Sequence, residues 1–124
     1  MRMYQFVLTF LKPIQYGIQG GHSVVELMAK YPKNKDVREF ALKHKTFIVL
    51  DGGTYPQMAE LLKHISHKSN PYPWAEFREP DMSETPVLTS IAILLPEKLY
   101  SDELVSSEWE SRFLKLKGQC RLAV

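Results

Sequence analysis

Gln19 and His22, three residues apart in the run Gly17-Ile18-Gln19-Gly20-Gly21-His22, are the pair best suited by type and spacing to do chemistry. On a helix they project side by side. An amide that orients and an imidazole that exchanges protons could together hold and activate a water molecule for hydrolysis. The run follows a strand-like segment. A helix start there would offer unpaired N–H groups and a positive dipole end to a phosphate or developing oxyanion. Gly20 and Gly21 would each cost about 1 kcal/mol against alanine inside a helix, so the pair needs a reason. That reason is either tight helix–sheet packing, with His22 a satisfied boundary residue, or close approach of a ligand. Two later segments could join the site. Arg78-Glu79-Pro80-Asp81 sets two acids and a cation in one turn, which is otherwise a solvated loop. Thr89 interrupts an apolar strand, where its hydroxyl must find a partner. The run fits neither a Walker loop nor a dinucleotide fingerprint. His64 and His67 have helical spacing but no third ligand in view, so they read as a solvated helix face and no metal is expected.

The elements that must position these groups follow from periodicity. Tyr4–Phe10 reads as a buried strand ended by Lys12-Pro13. A helix is predicted from Gly17 to Tyr31, with Ile18, Val24, Val25, Leu27, Met28 and Tyr31 on one arc. Gln19, Glu26 and Lys30 then fall opposite, with His22 at the border. Pro32 stops this helix, and Asn34 caps a shorter one carrying Val37, Phe40 and Ala41. Thr46–Leu50 is a strand ending at Asp51-Gly52-Gly53, a turn whose structural explanation suffices. Thr54 and Gln57 have capping-box spacing ahead of a third helix with Met58, Leu61, Leu62 and Ile65. Ser69–Pro73 is loop, Trp74–Phe77 a short strand, and Val87–Leu95 a long one closed by Pro96. Ser101 caps a terminal helix over about 101–117, with Val105, Trp109, Phe113 and Leu116 on one side. The order β-α-α-β-α-β-β-α predicts an α/β protein, a single three-layer α/β/α domain over 1–124 with a four-stranded mixed sheet.

Composition narrows the classes. A chain of 124 residues, 44% hydrophobic and 24% charged, supports one core and no long disorder. A formal charge of +2 permits an anionic partner but falls short of a dedicated nucleic-acid binder. Cys120 is alone, which excludes an internal disulfide and a cysteine-pair zinc site. No apolar run approaches the roughly 18–20 residues that span a bilayer, and Lys12-Pro13 breaks the N-terminal run before it could serve as a signal. A cytoplasmic protein with no membrane partner and no cofactor is expected. One further possibility is an interaction module, possible homodimer included, that uses Trp109 and Phe113 as exposed anchors.

The chain resembles the type-2 peptidyl-tRNA hydrolases over about Met3 to Leu99. Gln19-x-x-His22 corresponds to that family's QxxH on its first helix, and Thr89 in LTSIAILLP is similar to the threonine opening its last strand. The resemblance implies cleavage of the ester joining a peptide to the 3′ ribose of tRNA, with tRNA or peptidyl-tRNA as partner. It implies a pocket of His22, Gln19, Thr89 and an acid. The family's aspartate, in DAGRT, falls nearest Glu79, with Asp81 as rival. Gln15 stands where the family has its lysine, four residues before QxxH. Gln15, Gly20 and Gly21 would line the pocket, and Lys12, Lys45 and Arg78 would meet RNA phosphates. The alternative is a relative that keeps the pocket to bind RNA ends or a small ligand without cleavage.

Overall fold

The computed structural model describes residues 1–9, 11–80, 85–100 and 107–123. Its elements are β1 (Arg2–Leu8), α1 (Pro13–Lys30), α2 (Lys35–Glu39) running into a π-turn (Phe40–His44), β2 (Phe47–Gly53), α3 (Tyr55–Ile65), β3 (Trp74–Glu79), β4 (Val87–Leu95), a 3₁₀ turn (Glu97–Leu99), α4 (Glu108–Gly118) and β5 (Arg121–Leu122). One mixed sheet has the order β3-β4-β1-β2-β5. β1 and β2 are parallel, and the other neighbours antiparallel. The α/β class stands, but the sheet has five strands, not four. The fifth, of only two residues, is too short to leave a hydrophobic period.

Alternation along β1 builds two cores. Tyr4, Phe6 and Leu8 pack with Ile91, Ile93 and Leu95 of β4 against Met58, Leu61 and Ile65 of α3 and Trp109, Phe113 and Leu116 of α4. On the other face Met3, Ala92 and Leu94 meet Val24 and Leu27 of α1 and Val37 and Phe40 at α2. Trp109 and Phe113 are 5% and 0% exposed. Their burial removes them as interaction anchors.

α4 starts at Glu108 under a Ser107 cap, whose side chain accepts from the Glu110 N–H. Ser101 and Val105 lie outside the described residues. Buried Glu110 ties α4 to the chain before it: Lys98 Nζ lies 2.8 Å from its carboxylate and Tyr72 donates to it at 2.5 Å. Burial pushes the Glu110 carboxyl up, but hydrogen bonds from Lys98, Tyr72 and Ser107 outweigh it and hold the group at about 2. The Tyr72 phenol is pushed up to about 12, by burial first and then by Glu110. His64 joins α3 to α4: its ring stacks on Trp109, its Nε2 sits 2.9 Å from the Trp109 carbonyl, and its own carbonyl accepts from the indole N–H. It is therefore a packing residue and not part of a solvated face. His67 bonds Ser69.

α1 departs from its expected start and phase. Pro13 opens the helix, a first-turn position where its missing N–H costs nothing. Gln19 and His22 therefore sit about two and two and a half turns in, with Lys12–Tyr16 at the dipole end. The inward face is Gln19, Gly20, Ser23, Val24 and Leu27. Ile14, Ile18 and Val25 are 70%, 43% and 67% exposed. Gln19, placed on a polar face by periodicity, is 3% exposed.

Candidate functional site

β1, β2 and β3 end, and β4 begins, at one edge of the sheet, and α1 crosses that edge. A row of paired residues, Phe77–Ser90–Val7–Asp51, runs across it. In β4 the register slips. Phe77 faces Ser90 but Arg78 faces Leu88, leaving Thr89 as an extra residue. Successive side chains of a strand normally point to opposite faces. At this bulge Thr89 and Ser90 both reach α1: Thr89 Oγ1 donates to Gln19 Oε1 at 2.6 Å, and Ser90 Oγ donates to the Gln19 carbonyl at 2.5 Å.

With its oxygen held by Thr89, the Gln19 amide nitrogen is aimed outward. It donates to Glu79 Oε2 at 3.1 Å and, more weakly, to Gln15 Oε1 at 3.4 Å. A single buried amide thus links α1, β3 and β4 and fixes a half-buried carboxylate beside Gln15. His22, one turn further along α1, is exposed and stacks on Phe77 with ring centroids 4.4 Å apart and 18° between planes. Phe77 and Glu79 lie two apart in β3 and so share the α1 face, which puts the imidazole and the carboxylate along one strip.

The structure brings together Gln15, Gln19, Glu79 and Thr89 by hydrogen bonds, and His22 by its stack on Phe77. Two assigned residues stand apart. Arg78 points to the opposite face, where it pairs with Glu76 at 2.8 Å and lines a groove against Tyr55, Leu62 and Lys63 of α3. Lys45 precedes β2, whose first residue Phe47 pairs with Met3, and so lies at the other edge of the sheet. Strand alternation and strand direction, not visible in composition, exclude both from this site. Gly20 is a packing residue: a Cβ there would lie 2.5 Å from Gln5 Oε1 of β1. Gly21 faces open space. Lys12 stays at the site edge as the exposed residue preceding α1. Asp81 lies outside the described residues.

Two features escaped the sequence reading. Phe77 is the platform for His22, and the spacing Phe77-x-Glu79 carried that signal. Asp51, set aside as part of a turn, is the centre of a second polar cluster. Its Oδ2 accepts from Thr9 Oγ1 at 3.1 Å and the Tyr16 hydroxyl at 3.5 Å, and its Oδ1 from the Gly53 N–H at 2.9 Å. Tyr16 joins this cluster to α1. Among the described residues no three His, Cys, Asp or Glu side chains gather as metal ligands, and no helix is long and apolar enough to cross a membrane. No family model matches the chain, and no curated protein matches it.

Proposed function

We propose that the chain is an ester hydrolase of the peptidyl-tRNA hydrolase type, acting at the strip formed by His22, Phe77, Glu79 and Gln15. The observation that carries this reading is the Gln19 clamp. Its amide accepts from Thr89 and donates to Glu79, so the glutamine of QxxH, the strand threonine and the acid form one connected unit. A clamped carboxylate beside an exposed imidazole can hold a water between them. His22 or Glu79 then takes the proton as the water attacks the ester carbonyl, and returns it to the ribose oxygen as the C–O bond breaks, leaving a free carboxylate and the ribose hydroxyl. The flat His22–Phe77 stack gives the terminal base a surface to pack on. Lys12 contributes charge toward phosphates.

The test is release of labelled peptide from N-acetyl-aminoacyl-tRNA by the purified chain. His22→Ala and Glu79→Gln are each expected to slow release by about 10²-fold, the usual weight of a proton-transferring group. A wild-type chain that releases nothing at micromolar concentration overturns the reading.

Gln15 favours a second reading, binding of an RNA 3′ end without cleavage. A neutral amide supplies no positive charge to a developing oxyanion. This version expects uncharged tRNA to bind with an affinity that falls as salt rises. Binding indifferent to salt would remove it.

A further inference from the structure

α3 has two flanks, and α4 covers one of them. On the covered flank Glu60 bonds Arg112 Nη2 at 2.8 Å and the His64 ring stacks on Trp109. Tyr55 and Leu62, seven residues apart and so on one side of the helix, fall on the other flank. Across from that flank lie the end of β3 and the start of β4, whose register sets Arg78 opposite Leu88 just beyond the slip. Between the two walls runs a groove of about 540 Å³, within the range of roughly 300–1,000 Å³ typical of small-molecule sites. Leu62, Val87 and Leu88 line it with apolar surface, and Tyr55 beside them is 54% exposed.

Each wall also brings a cation, Lys63 from α3 and Arg78 from β3, and no carboxylate lines the groove among the described residues. Lys63 is exposed and forms no hydrogen bond or ion pair among those residues. Arg78 engages Glu76 through Nε alone, at 2.8 Å, which leaves its two terminal nitrogens without a bond there. Counting Glu76, the two cations leave one positive charge to balance.

We propose that the groove binds a small amphipathic anion, a medium-chain acyl carboxylate. Its chain covers Leu62, Val87 and Leu88, and its carboxylate accepts from Lys63 and from the terminal N–H groups of Arg78. A neutral chain leaves the cations unmatched, and a purely polar anion leaves the apolar lining uncovered. The groove lies on the α3 face of the sheet, behind the strip of His22 and Glu79. The assignment therefore stands without the ester-hydrolase reading, and an occupied groove leaves His22 open.

Titration of the full chain with sodium octanoate, to about 10 mM, reads this in the methyl resonances of Leu62, Val87 and Leu88. Saturable shifts with a Kd of about 1 mM or below are expected, centred on these methyls and not on His22 or Phe77. Octanol binds at least about fivefold more weakly. Lys63→Glu and Arg78→Gln, both at exposed positions, each weaken octanoate binding about three- to tenfold while octanol binding and the melting temperature hold. Methyls that do not move overturn the proposal. Octanol binding as tightly as octanoate, or indifference to both substitutions, overturns it equally, since either result removes the anionic head. Shifts confined to His22 and Phe77 place the octanoate on the other face and refute the groove. Methyl shifts that follow protein concentration instead of octanoate assign the groove to a second copy of the chain, against the proposal.

Discussion

Replacing Gln19 by leucine keeps the bulk of the side chain and removes three hydrogen bonds from the middle of the site. The costly loss is at Thr89, which is 0% exposed and donates to Gln19 Oε1 at 2.6 Å. A buried hydroxyl left without its acceptor costs about 1–3 kcal/mol. The bond to Glu79 has a carboxylate acceptor, but Glu79 is only half-buried, so water replaces much of it and about 1 kcal/mol is lost. The 3.4 Å contact with Gln15 contributes little. Added apolar burial returns part, leaving a net destabilisation of about 2–3 kcal/mol. For a domain of this length that lowers the melting temperature by roughly 8–12 °C. Thr89→Val alone strands Gln19 Oε1 and costs about 1–2 kcal/mol. In the double variant no polar atom of this pair is left unmatched, so its cost falls short of the sum by about 1–2 kcal/mol. Urea unfolding followed by the fluorescence of Trp74 and Trp109 gives all four corners of the cycle. Additivity within about 0.5 kcal/mol, or a Gln19→Leu variant as stable as the parent, would refute the account of Gln19 as a clamp.

Four further outcomes follow from other parts of the chain. Gly53 has φ of 95° and lies against the Gln57 side chain that completes the α3 capping box, so Gly53→Ala is expected to cost about 2 kcal/mol in urea unfolding. Gly21→Ala, in open space at ordinary helical geometry, should instead gain up to about 1 kcal/mol. Glu110 is held at about 2, below its unfolded value of 4.5, so its contribution is complete above pH 4.5 and is lost as pH falls toward 2. That loss is about 3 kcal/mol, and Glu110→Gln should flatten this part of the stability–pH curve. Burial, with a smaller contribution from Asp51, pushes the Cys120 thiol up to about 11. At pH 8 a disulfide reagent should therefore modify it about 100-fold more slowly than a free cysteine peptide, and more quickly in Asp51→Asn.

Much of the frame was legible because its signals are local. β1, β2 and β4 announce themselves as apolar runs, and the α3 capping box and the Asn34 cap are side-chain to backbone bonds within one turn. The phase of α1 was not legible. Ile14, Ile18 and Val25 point to solvent, so the apolar arc drawn from the sequence is rotated away from the buried one and carries Gln19 out of the core. Pro13 compounded this, since the same residue can end a strand or open a helix. Thr89 was recognisable as a hydroxyl in need of a partner. That the partner is Gln19 depends on a register slip between β3 and β4, a long-range property that no window of sequence contains. The wrong sides given to Arg78 and Lys45 have the same origin, because strand direction and edge order are set by pairing.

The extra residue at Thr89 also separates two tasks within one strand. From Ile91 onward, β4 keeps strict parity, alternating between the two cores, and Leu88 on the far side of the bulge rejoins the core under α3. Thr89 belongs to neither series. Removing it would bring Leu88 next to Ser90 in an uninterrupted strand, leave Leu88 on the α3 side and Ser90 on the α1 side, and erase only the Thr89 contact with Gln19. The clamp is thus a one-residue insertion in an otherwise ordinary sheet. Such a polar unit can be acquired or discarded in a single indel that leaves the facing of both flanks unchanged. Among chains sharing this architecture, length at the start of β4 should track the presence of the Gln–Thr–Glu unit more closely than overall identity does.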